Sequence, residues 1–229
     1  MTRAIVPQLV RKDLLIWRRL ILIFYGVSFA CIAAVGALYG RIPDRVLVNL
    51  GFTLLVTPVG TLGIVLLMQT NVFEKAKSTQ PFIMSLPVTV REFTLAKLLV
   101  NVPVFGVLWL VTAGAALWFA FGLDLLPLGT LPMMTMVFLG VLVAYVCILG
   151  VSLLSQSLGI TILAITFFEI GTSAYLWVIV FLDPIRSSLY GPVAVWNSTA
   201  IVILTTQAFA AVAATVATLV IQNGKRDFV

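Results

Sequence analysis

The chain has 229 residues, of which 62% are hydrophobic and 10% are charged. A soluble domain has about 45–50% apolar and about 25% charged residues, because polar side chains must cover its surface. The composition therefore indicates that most of the chain lies in lipid. Histidine is absent from the sequence, which argues against zinc-dependent or histidine-based catalysis. The net charge of +6 does not indicate a nucleic-acid partner, since the basic residues lie between apolar runs.

Six apolar runs follow one another, each close to or above the roughly 20 residues that a membrane-spanning helix needs. Turn or charge signals separate them. The predicted spans are residues 20–39, 46–72, 98–121, 131–154, 158–182 and 193 or 199 to 221. The sequence therefore predicts an all-α membrane protein with six transmembrane helices in a single domain over residues 1–229. Its predicted parts are an amino-terminal segment (1–19), spans 1 and 2 (20–72), a loop (73–97), spans 3 to 6 (98–222) and a tail (223–229).

Lys and Arg residues are distributed unevenly between the two sides of these spans. Of the 14 in the chain, five lie in the amino-terminal segment, four in the loop after span 2 and two in the tail. The other three are Arg41, Arg45 and Arg186. The positive-inside rule then places both termini in the cytoplasm, and an even number of spans agrees. We expect a multi-pass protein of the plasma or inner cell membrane.

The amino-terminal segment has an amphipathic pattern at about 100° per residue. One arc holds Gln8, Arg11, Lys12, Arg18 and Arg19. The other arc is mainly apolar, with Asp13 as an exception. A basic amphipathic helix that ends near Trp17 is typical of an interfacial helix, lying on the cytoplasmic leaflet before the chain turns into span 1. The alternative is a charged tail that only sets the topology.

The loop at 73–97 contains two prolines whose positions predict a short helix between them. Pro81 suits the first turn of a helix, and Pro87 discourages a helix from passing through the residue before it. We expect about two helical turns over residues 80–86. The apolar side chains that this helix would show to the cytoplasm are Phe82, Ile83 and Leu86. Exposed apolar side chains of this kind favour a docking surface for a partner protein.

A second helix start follows at the end of the same loop. Thr89 and Glu92 fit the S/T-x-x-E capping box, in which the hydroxyl and the carboxylate satisfy amides that a helix start leaves unpaired. The pattern predicts that the helix of span 3 begins here.

This region resembles a segment of the type-2 export permeases of the ATP-binding cassette (ABC) superfamily. In those proteins an acidic residue ends the second span, as Glu74 does here, and an apolar turn leads to an SLP step, here residues 85–87. A Glu and a Lys then flank the start of the third span, here Glu92 and Lys97. The amino-terminal residues 9–19 are similar to the connecting helix of the same permeases.

The resemblance implies that the helix at 80–86 is a coupling helix that sits in a groove of a separate ABC ATPase subunit. Arg91 and Glu92 would lie beside Phe82, Ile83 and Leu86 at that docking surface. ATP and Mg²⁺ would be bound by the ATPase, and a second permease copy or a paralogue would complete the transporter. The chain itself has no G-x-x-x-x-G-K-[ST] phosphate loop, so we expect it not to be an enzyme. We expect no cofactor or metal in this chain.

Two spans carry polar stripes. In span 2 the stripe consists of Asn49, Thr53, Thr57 and Thr61, with Gly60 beside them. In span 5 it consists of Thr161, Thr166, Glu169, Thr172 and Ser173. Lipid-facing positions would not collect such groups, so both stripes should face protein or a water-filled path. In similar permeases the second and fifth spans line the route at a dimer interface.

Glu169 is the one ionisable residue deep inside a predicted span. A charged side chain at the centre of a membrane helix costs roughly 2.5–3.5 kcal/mol on insertion scales, so the residue needs a reason to be there. One hypothesis is that Glu169 lines a translocation path and contacts a cationic or hydrogen-bonding substrate. The other is that a protonated Glu169 bonds to a Thr or Ser of a neighbouring helix and locks packing.

The favoured function is the permease subunit of an ABC exporter. Such a subunit moves an amphipathic or drug-like substrate out of the cytoplasm or the inner leaflet, with membrane lipid around it. The alternative is a membrane scaffold or assembly factor without transport activity. An intramembrane enzyme is disfavoured, because the spans hold no histidine and no paired carboxylates.

Overall fold

The computed structural model describes residues 5–76 and 88–224, which form helices and no strand. Six of these helices are long. They are α1 (Ile5–Leu38), α2 (Asp44–Leu67), α3 (Val90–Leu117), α4 (Leu131–Ser155), α5 (Leu158–Phe181) and α6 (Ser198–Gly224). Within the described residues, six helical segments are long and apolar enough to cross a membrane. The predicted all-helical architecture with six candidate spans is therefore confirmed.

Shorter helical pieces extend or connect the long helices. A π-helical segment, Met68–Val72, and a helical turn, Phe73–Ala76, continue α2. A second π-helical segment, Trp118–Gly122, continues α3. A 3₁₀ turn, Leu128–Thr130, leads into α4, and a helical turn, Asp183–Arg186, follows α5.

Polar contacts show which helix ends lie together. The Lys12 Nζ donates to Glu74 Oε1 at 2.9 Å, which joins the first part of α1 to the segment after α2. The Gln222 side-chain amide donates to the carbonyl of Leu153 at 2.7 Å, which joins the last turn of α6 to that of α4. This end of the bundle also holds Lys97 in the second turn of α3, and we call it the basic end. That the basic end faces the cytoplasm stays a prediction.

The connections at the opposite end also contact one another. The Tyr39 hydroxyl donates to the carbonyl of Leu123 at 3.3 Å, and the Gly129 N–H donates to the carbonyl of Gly191 at 3.0 Å. A Cβ at Gly129 would lie 2.0 Å from the carbonyl oxygen of Ser188, so only glycine fits there. The loops after α1, α3 and α5 therefore form one layer.

The first helix differs from the sequence expectation. We predicted an interfacial helix over residues 1–19 that turns into span 1, but α1 is one helix of 34 residues from Ile5 to Leu38. At 1.5 Å per residue it is about 51 Å long, against roughly 30 Å for the bilayer core. No proline or glycine lies between Gln8 and Tyr25 to break it.

The start of α3 agrees with the prediction. The Glu92 N–H donates to the Thr89 hydroxyl at 3.2 Å, and the Thr89 N–H donates to the Glu92 carboxylate at 2.9 Å. The predicted capping box is confirmed. It fixes the residue at which the chain enters α3.

The main core lies between α2, α3 and α4. The rings of Phe105 and Tyr145 stack with centroids 3.7 Å apart. Gly63 of α2 lies against this pair, and a Cβ there would be 2.9 Å from both rings. The close approach of α2 to the two aromatic side chains therefore depends on glycine at this position.

The helices α5 and α6 lie at the periphery of the bundle. Only Thr161 and Ile179 of α5 are buried, and α6 has four buried residues. One of these is Gln207, whose amide donates to the carbonyl of Met136 at 3.0 Å and to the hydroxyl of Tyr175 at 2.6 Å. That side chain joins α6 to α4 and α5.

Candidate functional site

Both polar stripes contribute to a groove between α2 and α5, which has α4 as its floor. The groove is an open cavity of about 360 Å³. The polar and small residues that line it are Thr57, Gly60 and Thr61 of α2 and Glu169, Thr172 and Ser173 of α5. The α4 lining is largely apolar and includes Val141 and Tyr145. We call this cavity the α2–α5 groove.

The spacing of the residues explains their convergence. Positions three or four residues apart lie on one face of a helix, so Thr57 and Thr61 share a face, as do Glu169 and Thr172. The helix α4 contacts both α2 and α5, which sets the two polar faces beside the same space. A Cβ at Gly60 would meet no atom of the described residues within 4 Å, so the groove is open at this point.

Three of the predicted path residues lie elsewhere. Asn49 and Thr53 line a shallow exposed surface near Arg45, in the first turns of α2 and away from the basic end. Thr166 is exposed on α5 and is not among the residues that line the groove in the described part of the chain. The continuous stripe on each helix therefore divides, and only its carboxyl-terminal part lines the groove.

Hydroxyl groups on α2 use their protons within the helix. The Thr61 hydroxyl donates to the carbonyl of Thr57 at 2.8 Å, and the Thr53 hydroxyl donates to the carbonyl of Asn49 at 3.1 Å. Back-bonding of this kind is common for threonine in membrane helices. Because its proton is used in this way, Thr61 presents an acceptor oxygen to the groove.

Glu169 faces the groove from α5 and is exposed. Among the described residues there are four ion pairs, and all of them lie in a separate cluster at the basic end. No hydrogen bond links the Glu169 carboxylate to a Thr or Ser within that same part of the chain. The packing alternative requires such a bond, so the described geometry favours a carboxylate that is open to the groove.

An apolar cavity adjoins the groove on the side of the opposite end. It measures about 410 Å³ and receives side chains from α1 to α5, such as Leu55, Phe119, Met133 and Val180. Its one polar lining side chain, within the described residues, is Asn49. Phe52, Val137 and Leu176 line both cavities. Sequence reasoning missed this cavity, because its lining comes from five helices and follows no single periodic pattern.

Two cations and two carboxylates form a cluster at the basic end. The Lys97 Nζ donates to Asp13 Oδ2 at 2.8 Å and to Glu74 Oε2 at 2.5 Å. The Lys12 Nζ donates to Glu74 Oε1 at 2.9 Å, and it lies 3.0 Å from Asp13 Oδ1 as an ion pair without hydrogen-bond geometry. The side chains of Asp13 and Lys97 are almost fully buried. We call these four residues the ion cluster.

The ion cluster lies at both ends of the predicted docking loop. Glu74 lies at the start of this loop (73–97) and Lys97 is its last residue, while Asp13 and Lys12 belong to α1. Sequence reasoning missed the cluster, although one signal was visible. Asp13 is the single acid in the apolar arc of the amino-terminal pattern, and Leu9 of that arc packs against Phe93 and Ala96 of α3.

Two hydrogen bonds to backbone carbonyls of α3 lie between the ion cluster and the groove. The Asn101 amide donates to the carbonyl of Lys97 at 2.9 Å, and the Tyr145 hydroxyl donates to the carbonyl of Asn101 at 3.2 Å. Tyr145 in turn lines the groove. The helix α3, which carries Lys97, is therefore bonded to α4 beside the groove.

The predicted ATPase-docking residues divide into two groups. The helix at 80–86, with Phe82, Ile83 and Leu86, lies outside the described residues. Arg91 is exposed in the first turn of α3, and the Glu92 carboxylate is engaged in the capping box.

No family model, curated protein or solved structure matches the chain.

Proposed function

We propose that the chain is the membrane-spanning permease subunit of an ABC exporter. A separate ATPase subunit hydrolyses ATP with Mg²⁺ and docks at the helix over residues 80–86. A second permease copy or a paralogue completes the complex in the cell membrane, with both termini in the cytoplasm. The groove of each permease subunit forms part of the route by which an amphipathic substrate leaves the cytoplasm or the inner leaflet.

The observation that carries this proposal is the α2–α5 groove. Two stripes on different helices bring hydroxyl groups and one open carboxylate, Glu169, to the same cavity. An open groove that brings polar groups of two apolar helices together is an arrangement suited to a transport route, since polar groups at lipid-facing positions are expensive. A scaffold has no need of such a cavity.

The ion cluster supports the link between the groove and a docked partner. Its four side chains hold the residues on both sides of the docking loop against α1. A force applied to the loop would therefore move α1, α2 and α3 together. The hydrogen bond from Tyr145 to the carbonyl of Asn101 then links α3 to α4 beside the groove.

Co-purification tests the proposal. Full-length protein with an affinity tag is extracted from its native membrane, and the proteins that remain bound are identified by mass spectrometry and assayed for ATP hydrolysis. We expect a protein with a phosphate loop to bind the wild-type chain and to be lost from Leu86→Asp, because a carboxylate cannot enter an apolar docking groove without a partner.

Gln8→Asp is the matched control. It places the same new side chain at an exposed position of α1, near the same end of the bundle. Retention of the ATPase by Gln8→Asp and its loss from Leu86→Asp support the coupling helix. A wild-type chain that carries no phosphate-loop ATPase, or a Leu86→Asp chain that carries as much as wild type, contradicts the proposal.

A further inference from the structure

We infer that the α2–α5 groove and the adjoining apolar cavity form one two-part site for an amphiphile with a protonated amine. The ammonium group lies at Glu169 and the hydrocarbon tail lies in the apolar cavity. This inference rests on the proposed function, since it names the substrate class of the same groove.

The groove is suited to a cation that donates hydrogen bonds. The Glu169 carboxylate accepts hydrogen bonds and, when ionised, carries the one formal charge among the described lining residues. The Thr61 hydroxyl uses its proton on the carbonyl of Thr57, which leaves its oxygen as an acceptor. An ammonium group presents three donors and a positive charge, so it complements both features.

Charge also gives the site its selectivity. The described lining residues include no Lys or Arg, so an anionic head group would meet Glu169 without a compensating cation. Low dielectric in the membrane strengthens attraction and repulsion alike. The groove should therefore accept an ammonium amphiphile and reject an anionic amphiphile of the same length.

The apolar cavity fits the tail of such a molecule. Each cavity, at about 360 and about 410 Å³, falls in the range of known small-molecule sites. Phe52, Val137 and Leu176 border both cavities, so the two spaces adjoin, and we place one molecule across them. Lipid is as apolar as this cavity, so the tail gains little by leaving the bilayer. The head group should therefore dominate the preference for the site.

Binding to the purified chain tests the inference without an ATPase. Full-length protein in nanodiscs of phosphatidylcholine is titrated with radiolabelled dodecylammonium, and bound probe is counted by scintillation proximity. Unlabelled dodecylammonium should compete, whereas dodecanol and dodecyl sulfate should not. Glu169→Gln should weaken binding about ten- to hundred-fold, as expected for loss of a charge-assisted hydrogen bond. Glu169→Asp should retain binding, because it keeps the charge.

A second pair of variants tests the tail position. Val180 lines the apolar cavity, so Val180→Phe should weaken dodecylammonium binding by narrowing the space for the tail. Val107→Phe is the matched control, because Val107 is exposed on α3 and lines neither cavity. Size-exclusion profiles like that of wild type show that each variant is folded.

The outcomes separate the inference from the proposed function. Absence of saturable binding, equal competition by dodecyl sulfate or dodecanol, or unchanged binding in Glu169→Gln overturns the inference. Absence of saturable binding is also the result expected if a second copy fills the groove. Binding as expected in a chain that never carries an ATPase overturns the proposed function and leaves the site standing.

Discussion

Lys97 of α3 and Asp13 of α1 form an ion pair with Nζ and Oδ2 2.8 Å apart, and their side chains are 2% and 1% exposed. Glu74 and Lys12 complete a cluster whose formal charges sum to zero. Buried charges are tolerated when they are paired and hydrogen-bonded. The pair therefore fixes α1 against α3 beside the predicted docking loop.

Removal of Lys97 should destabilise the protein strongly. Lys97→Met leaves Asp13 and Glu74 with one shared cation, and breaking a buried pair typically costs about 3–5 kcal/mol. We expect a clear fall in the midpoint of thermal unfolding, measured in detergent by tryptophan fluorescence. Asp13→Asn combined with Lys97→Met should be destabilised by less than the sum of the two single changes.

Lys12→Met is the matched control for Lys97→Met. The Lys12 side chain belongs to the same cluster but is 33% exposed, and water can replace part of its interaction. Partly exposed ion pairs contribute about 0–1 kcal/mol, so the midpoint should fall much less. Equal falls in the unfolding midpoint for Lys12→Met and Lys97→Met would show that burial does not raise the contribution of the Lys97 pair to stability.

Replacement by alanine should lower the stability of the protein at Gly63 but not at Gly60. Gly63→Ala places a Cβ 2.9 Å from the rings of Phe105 and Tyr145, so it should force the aromatic stack apart at a cost of about 1–3 kcal/mol. The new Cβ of Gly60→Ala meets no atom within 4 Å in the described part of the chain, so this change should be neutral or slightly stabilising, since alanine favours helix. Thermal unfolding of the two variants compares them directly, and a lower midpoint for Gly60→Ala than for Gly63→Ala would refute the packing argument.

The membrane orientation can be tested with single cysteines. After Cys31 and Cys147 are replaced by alanine, Gln8→Cys should react with a membrane-impermeant maleimide only in permeabilised cells, because basic segments face the cytoplasm. Ser187→Cys, in the connection after α5, should react in intact cells. Both positions are exposed, so access to the reagent depends on the membrane side. The reverse labelling pattern would show that the basic end faces the outside of the cell.

Hydropathy alone predicts the positions of most of the long helices. Five of the six predicted spans overlap α2 to α6 closely, because an apolar run of this length has few structural alternatives in lipid. The Thr89–Glu92 capping box was also readable, since it depends on residues three positions apart. The structure confirms these predictions, because each depends on residues that are close together in the sequence.

Features that depend on several helices could not be predicted. The amino-terminal pattern suggested a separate interfacial helix, but α1 continues unbroken and its Asp13 turns towards Lys97, which lies 84 residues away in sequence. The apolar cavity likewise draws side chains from five helices. Spacing within one helix assigned Glu169 to a polar face, whereas its nearness to Thr57 and Thr61 depends on α4 between them.

Transport through the α2–α5 groove is tested most directly by the ATPase rate of the purified permease–ATPase complex in nanodiscs, measured with and without dodecylammonium. We expect the amphiphile to stimulate hydrolysis by the wild-type and Glu169→Asp complexes, and we expect Glu169→Gln to lose this stimulation. Equal stimulation of the wild-type and Glu169→Gln complexes would contradict the claim that substrate acts through the α2–α5 groove.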